Sequence, residues 1–151
     1  MLVDTCVLLS GLNRSDIHFE ATRQAYRRVL QAAIPLFVSL QNIAEMWNVS
    51  TRPLDRNGHG LSTEFALKRV HVVERLFDVV TESNASYQVF RRLLADHDIQ
   101  GTAVHDARLA AVMIHEEIET IVTFNVSDFR RFEPEGVRIV TPVELADGKL
   151  P

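Results

Sequence analysis

The sequence predicts an α/β fold with a mainly parallel sheet covered on both faces, and two patterns carry that prediction. Short β-rich runs alternate with stretches of helical periodicity, the order that parallel β-α-β connections produce. The first of these runs, Met1 to Leu9, is nearly all apolar, as a strand buried on both faces requires. At 151 residues and 46% hydrophobic content, the chain is expected to form one domain over residues 1–151 with a substantial core.

Taken in order, Met1 to Leu9 is an apolar run that holds the first strand, which Asp4 ends. Residues 19–33 follow as an amphipathic helix, with Phe19, Tyr26, Val29, Leu30 and Ala33 at helical spacing and Arg23, Arg27 and Arg28 between them. Pro35 separates it from a second strand at Leu36 to Val38. Ser39 is placed to cap the next helix, with Leu40, Ile43, Ala44 and Trp47 as its apolar stripe and Gln41, Glu45 and Asn48 on another face. Thr51 to Gly60, rich in turn residues, reads as an inserted loop. Ala66, Val70, Val73 and Phe77 mark a further helix, and Phe77 to Thr81 a third strand. Ser83 would cap a helix carrying Tyr87, Phe90 and Leu94, and Asp96 to Gly101 is a loop. A helix opening near Thr102 is apolar nearly all round through Ile114, which predicts burial. Thr120 to Thr123 and Val137 to Val140 complete about five strands, and 147–151 form a tail.

Composition narrows the function. A formal net charge of −4 opposes nucleic-acid binding by bulk charge, while leaving room for a local basic face. Cys6 is the single cysteine, which excludes an internal disulfide and a Cys-rich zinc site and reads as a small buried apolar residue. The N-terminus lacks the basic region of a secretory signal, and no stretch approaches the roughly 18–20 apolar residues of a membrane span. A cytoplasmic protein is expected.

Asp4 is the misfit that organises the rest. A carboxylate inside an apolar strand costs several kcal/mol unless a positive or hydrogen-bonding group meets it. It is therefore either the start of a site or a satisfied polar residue at a strand end. Parallel sheets bind ligands beyond the carboxyl ends of their strands, and three more acids fall there: Glu45 after strand two, Asp106 at the start of the buried helix, and Asp128 after strand four. Singly, each has a structural reading: Glu45 as a solvated helix residue, Asp106 as a partner of the helix dipole, Asp128 as a turn cap. Together, four carboxylates cannot all stay ionised unaided. A hard cation, Mg²⁺ or Mn²⁺, removes the conflict, and the six histidines lack zinc-type spacing. Such a site suits phosphodiester hydrolysis.

The motifs V-D-T-C-V-L-L at the start, N-I-A-E (Asn42 to Glu45), H-D-A (His105 to Ala107) and T-F-N-V-S-D-F (Thr123 to Phe129) resemble those of PIN-domain ribonucleases. In order and spacing they match VapC-type toxins of toxin–antitoxin pairs and their stand-alone relatives, from Met1 to about Thr141. The resemblance implies a three-layer α/β/α fold and a metal-dependent endoribonuclease whose catalytic and metal-binding acids are Asp4, Glu45, Asp106 and Asp128. It further implies that Thr5 and Thr123 hydrogen-bond those carboxylates and that Asn125 joins or orients the site. A cognate antitoxin and a homodimer are expected partners. Cys6 departs from the Asn or Ser of many relatives, which puts one supporting hydrogen bond in question, and the Arg52 to Gly60 loop is longer than in compact toxins.

RNA also needs cations for its phosphates, and Arg52, Arg56, Arg130 and Arg131 are the candidates beside the acids. No aromatic-interleaved basic motif points to a particular RNA sequence. A catalytically silent RNA- or protein-binding PIN-like domain is the alternative, set against the retention of four repelling acids. An aspartyl-phosphate enzyme of the haloacid dehalogenase type would carry a second Asp two residues after Asp4, where this chain has Cys6.

Overall fold

Leu2–Val3 (β1), Phe37–Ser39 (β2), Asp78–Val80 (β3), Thr120–Val122 (β4) and Arg138–Val140 (β5) form one sheet in a computed structural model, which describes residues 1–150. The strand order is β3-β2-β1-β4-β5 and every pairing is parallel, with Val3 level with Val122 and Leu2 level with both Phe37 and Ile121. Sheet and strand positions agree with the expected fold class.

The central strand shows why the first run had to be apolar. Leu2 and Val3 point to opposite faces and are both fully buried, each in a different core. On the Val3 face pack Thr5–Leu12 (α1), Phe19–Gln31 (α2), Leu40–Thr51 (α3), Thr63–Leu76 (α4) and Pro142–Ala146 (α8), supplying Val7, Val29, Met46, Val73 and Leu145. On the Leu2 face pack Asn84–Asp96 (α5), Ala103–His115 (α6) and Val126–Phe129 (α7), supplying Leu93, Leu109, Met113 and Phe129. This distribution follows from handedness. The chain steps from β1 to β2 to β3 in one direction, then crosses to β4 and β5 in the other, so right-handed crossovers put the later helices on the opposite face. The step reverses between β1 and β4, and a ligand cleft belongs there.

The structure corrects the element reading at three places. The first strand stops at Val3, and Asp4, expected at its end, caps a helix, α1, that the sequence reading did not predict. Thr5 to Leu12 is buried on so many sides that its apolar residues show no helical period. In α3 the expected faces hold only in part: Ile43 packs against the core and Asn48 is exposed as read, but Leu40 is 54% exposed and Ala44 is exposed, while Gln41, Asn42, Met46 and Ser50 are buried. Asn42 is drawn inward because it completes a capping box with Ser39. Tyr87, expected on the packed face of α5, is mostly exposed, and Leu93 is the residue fully buried there.

Other expectations fall as read. Ser39 and Ser83 cap α3 and α5, and Ser62 does the same for α4. The inserted loop starts after Thr51, which closes α3, and holds a 3₁₀ turn at Leu54–Arg56. Helix α8, capped by Thr141, adds an element to the predicted set. Within the expected tail, Pro151 lies outside the described residues. Among the described residues no helix is long and apolar enough to cross a membrane.

Candidate active site

Asp4 follows β1 directly and sits at the switch between β1 and β4, where its backbone N–H donates to the Val122 carbonyl at 3.0 Å. Its carboxylate is buried at 7% exposure but well partnered. Oδ1 accepts from the Thr5 N–H at 2.6 Å, the cap of α1, and Oδ2 accepts from the Thr123 hydroxyl at 2.7 Å and the Cys6 thiol at 3.3 Å. Burial still prevails and holds the carboxyl above its usual range, against the pull of those three donors. Thr123 is fully buried, and its Oγ1 accepts from the Asn125 N–H at 2.9 Å, which leaves its proton for Asp4. The supporting bond that Cys6 put in question is thus made, by sulfur.

Glu45 comes from α3, which β2 aims at the same sheet end. Its Oε2 accepts from the Thr5 hydroxyl at 2.6 Å, and Thr5 Oγ1 in turn accepts from Asn42 Nδ2 at 3.1 Å. Gln41 Nε2 donates to Glu45 Oε1 at 2.8 Å and to the His105 carbonyl at 3.1 Å. A continuous set of hydrogen bonds therefore links the Ser39 cap to Asn42, Thr5 and Glu45, and Glu45 to the start of α6. Thr5 and Thr123 each donate a hydroxyl to one of these carboxylates, Thr5 to Glu45 and Thr123 to Asp4.

Asp106 lies in the first turn of α6 and is half-buried. Its carboxyl is pushed up to about 6, by burial first and then by the negative charges of Asp128, Asp4 and Glu45, with Arg131 pulling the other way. Each of the other three acids is therefore near enough to act on Asp106. Asp128 sits in α7, partly buried, with the Ser127 hydroxyl donating to its Oδ1 at 3.3 Å. Among the described residues the carboxylates do not close on one another as a compact set of three or more ion ligands. They come from β1's end and from α3, α6 and α7, with Gln41 joining Glu45 to the residue before Asp106.

The remaining candidates divide. Arg131 acts on Asp106 and Arg130 beside it is exposed. Arg52 is turned into its own loop, where Nη2 donates to the Asn57 carbonyl at 2.9 Å, and Arg56 is exposed on the 3₁₀ turn. Asn125 is exposed just before α7 and touches the site through its backbone. Sequence reasoning passed over Gln41, Asn42 and the hydrogen-bonding role of Cys6. The short distances from Asn42 to Glu45 along one helix were the available signal, obscured by the apolar stripe assigned to the wrong face. A groove of about 660 Å³ lies at the amino ends of β4 and β5 around Glu117, Gly136 and Arg138, and shares no residue with the acids. It is open surface, far from the chemistry.

Comparison with known proteins places this geometry in context. The family model for the PIN domain matches residues 1–133. No curated protein matches in sequence. Similar solved structures include VapBC2 from Rickettsia felis, bound to a DNA fragment from their promoter, at 17% identity and a TM-score of 0.67, covering 93% of this chain and 96% of that one. VapBC-1 from nontypeable Haemophilus influenzae is similar at 15% identity and a TM-score of 0.66, over 93% of this chain and 96% of that one. VapC20 of Mycobacterium tuberculosis, a Sarcin–Ricin loop cleaving toxin, is similar at 20% identity and a TM-score of 0.64, over 91% of this chain and 95% of that one. At these identities the likeness is one of fold.

Proposed function

The chain belongs to the PIN-domain family, and from that premise we propose that it is a divalent-metal-dependent endoribonuclease, the toxin of a toxin–antitoxin pair. The observation that carries this reading is the set of acids at one end of the sheet, where Asp4 and Glu45 are held by neutral hydroxyls, a thiol and amides and Gln41 joins Glu45 to the residue before Asp106. Burial first, and then the carboxylates of Asp128, Asp4 and Glu45, hold the Asp106 carboxyl above its usual range, with Arg131 opposing them. An all-oxygen, strongly anionic donor set of this kind fits Mg²⁺ or Mn²⁺, and Asp4, Glu45, Asp106 and Asp128 would hold it. When bound, the cation supplies the positive charge that lowers the pKa of a water and offsets charge on the phosphate.

The chain's own residues do the rest. Thr123, Cys6 and the Thr5 N–H fix the rotamer of Asp4, and Thr5 with Gln41 fixes that of Glu45. Neither acid has to reorganise when substrate arrives. Arg130 and Arg131, next to Asp128, are the phosphate-binding pair the reading favours, with Arg56 on the far loop and Asn125 orienting at the rim. Arg52 has a lesser claim, since it braces its own loop. The fold likeness to VapBC complexes supports a cognate antitoxin as partner and a homodimer as the assembled state, in the cytoplasm.

The test is cleavage of structured RNAs by wild type and Asp4→Asn, each with Mg²⁺, Mn²⁺ or EDTA. Cleavage should require the metal and fall at least about a hundredfold in Asp4→Asn, whose circular dichroism should match wild type. Equal cleavage by both proteins, or cleavage that survives EDTA, would refute the proposal. Carboxylate-independent binding of RNA without cleavage would favour the silent-domain alternative.

A further inference from the structure

Gln41 is 5% exposed, and its amide is placed between two groups that only accept hydrogen bonds, the Glu45 carboxylate and the His105 carbonyl. Both amide protons are therefore spent on them, and the reverse orientation of the amide would set oxygen against oxygen. Its Oε1 is left buried without a donor from the protein. Buried acceptors are almost always paired, by protein or by ordered water. An amide that serves only to fill the core would not tie an acidic side chain to another helix and keep an open acceptor beside it.

We propose that Gln41 is a positioning residue for the metal site: it locks Glu45 to the amino end of α6, one residue from Asp106, and offers its buried Oε1 to an ordered water beside Glu45. Two of the four acids come from different helices, α3 and α6, and Gln41 is the side chain that hydrogen-bonds to both elements there. Its loss would leave Glu45 held by Thr5 alone and free to swing about that contact. Groups in this supporting position commonly change metal affinity ten- to a hundredfold.

The inference rests on the metal-dependent reading, and one titration separates their failures. Mn²⁺ binding is measured by calorimetry on RNA-free wild type, Asp4→Asn, Gln41→Met, Glu45→Gln and the Gln41→Met/Glu45→Gln double variant, beside melting curves in EDTA. Gln41→Met keeps the length of the side chain and removes its donors. It should raise the Mn²⁺ Kd about tenfold or more while the melting temperature in EDTA stays at or above that of wild type. In the Glu45→Gln background the same change should have little further effect, because Gln41 acts through Glu45. An unchanged Kd in Gln41→Met, its full penalty retained in the double variant, or a collapse of its fold would each overturn the positioning role while leaving metal binding by wild type intact. Wild type that fails to bind Mn²⁺, or binds it no better than Asp4→Asn, would instead overturn the metal-dependent reading beneath it.

Discussion

Asp106→Asn should make the metal-free protein more stable. The carboxyl is pushed up to about 6 from an ordinary 3.8, so in the folded state it holds its proton over a pH range where the unfolded chain has released it. For an acid raised in this way, stability falls as pH climbs from 3.8 through 6, and the full penalty is present above that window. A shift of about two units corresponds to ~3 kcal/mol. The carboxyl is only half-buried, and solvent screening reduces this to ~1–2 kcal/mol. The helix dipole, which favours a carboxylate in the first turn, returns ~0.5 kcal/mol of that. A net gain of ~1 kcal/mol raises the melting temperature of a domain this size by about 2–4 °C. The assay is thermal unfolding in EDTA at pH 7.5 and pH 4. The gain should be present at pH 7.5 and largely gone at pH 4. Adding Mn²⁺ at pH 7.5 should then raise the melting temperature of wild type more than that of the variant. A variant no more stable than wild type at pH 7.5, or a gain of equal size at pH 4, would refute the claim that burial and the neighbouring acids penalise the charged form of Asp106.

Two further outcomes test the surroundings of the site. Gly58→Ala should destabilise the protein by ~2–3 kcal/mol in urea unfolding, because a Cβ there would stand 1.9 Å from the Arg52 carbonyl oxygen and the loop backbone must shift; an unchanged midpoint would contradict that packing. Cys6 should resist iodoacetamide at pH 8 in the native state and react once urea unfolds the chain, since burial and the Asp4 charge push its thiol up to about 12; rapid native labelling by mass spectrometry would show the thiol to be free of Asp4.

Much of the fold was legible because strands buried on both faces have a one-dimensional signature. A run such as Ile121 and Val122 has no polar alternative when helices cover both sides, and Ser39 and Ser83 announce the helices that follow them. Helix α1 was not legible for the same reason that β1 was. Val7 and Leu8 are as buried as Leu2 and Val3, and burial on several sides erases the period that tells a helix from a strand. The buried amides of α3 have a different cause. Gln41 and Asn42 are buried to serve Glu45, Thr5 and Ser39, partners 3 to 37 residues distant in no fixed pattern, and hydropathy assigns such residues to solvent.

From the sequence alone came the four acids, their chain order and their expected place past the strand ends, because each lies beside a strand or a helix start whose signature is local. Asp4 itself was recognisable as misplaced charge. What only the tertiary structure decided is which neutral groups hold those acids: the Thr123 hydroxyl and Cys6 thiol on Asp4, and Thr5 with Gln41 on Glu45. Those contacts depend on β1 lying beside β4 and on α3 reaching α6, and long-range register of that kind leaves no trace in local spacing. Like-charge repulsion across the cleft is also a tertiary property, since it depends on the distances between elements and on how far water is excluded from between them.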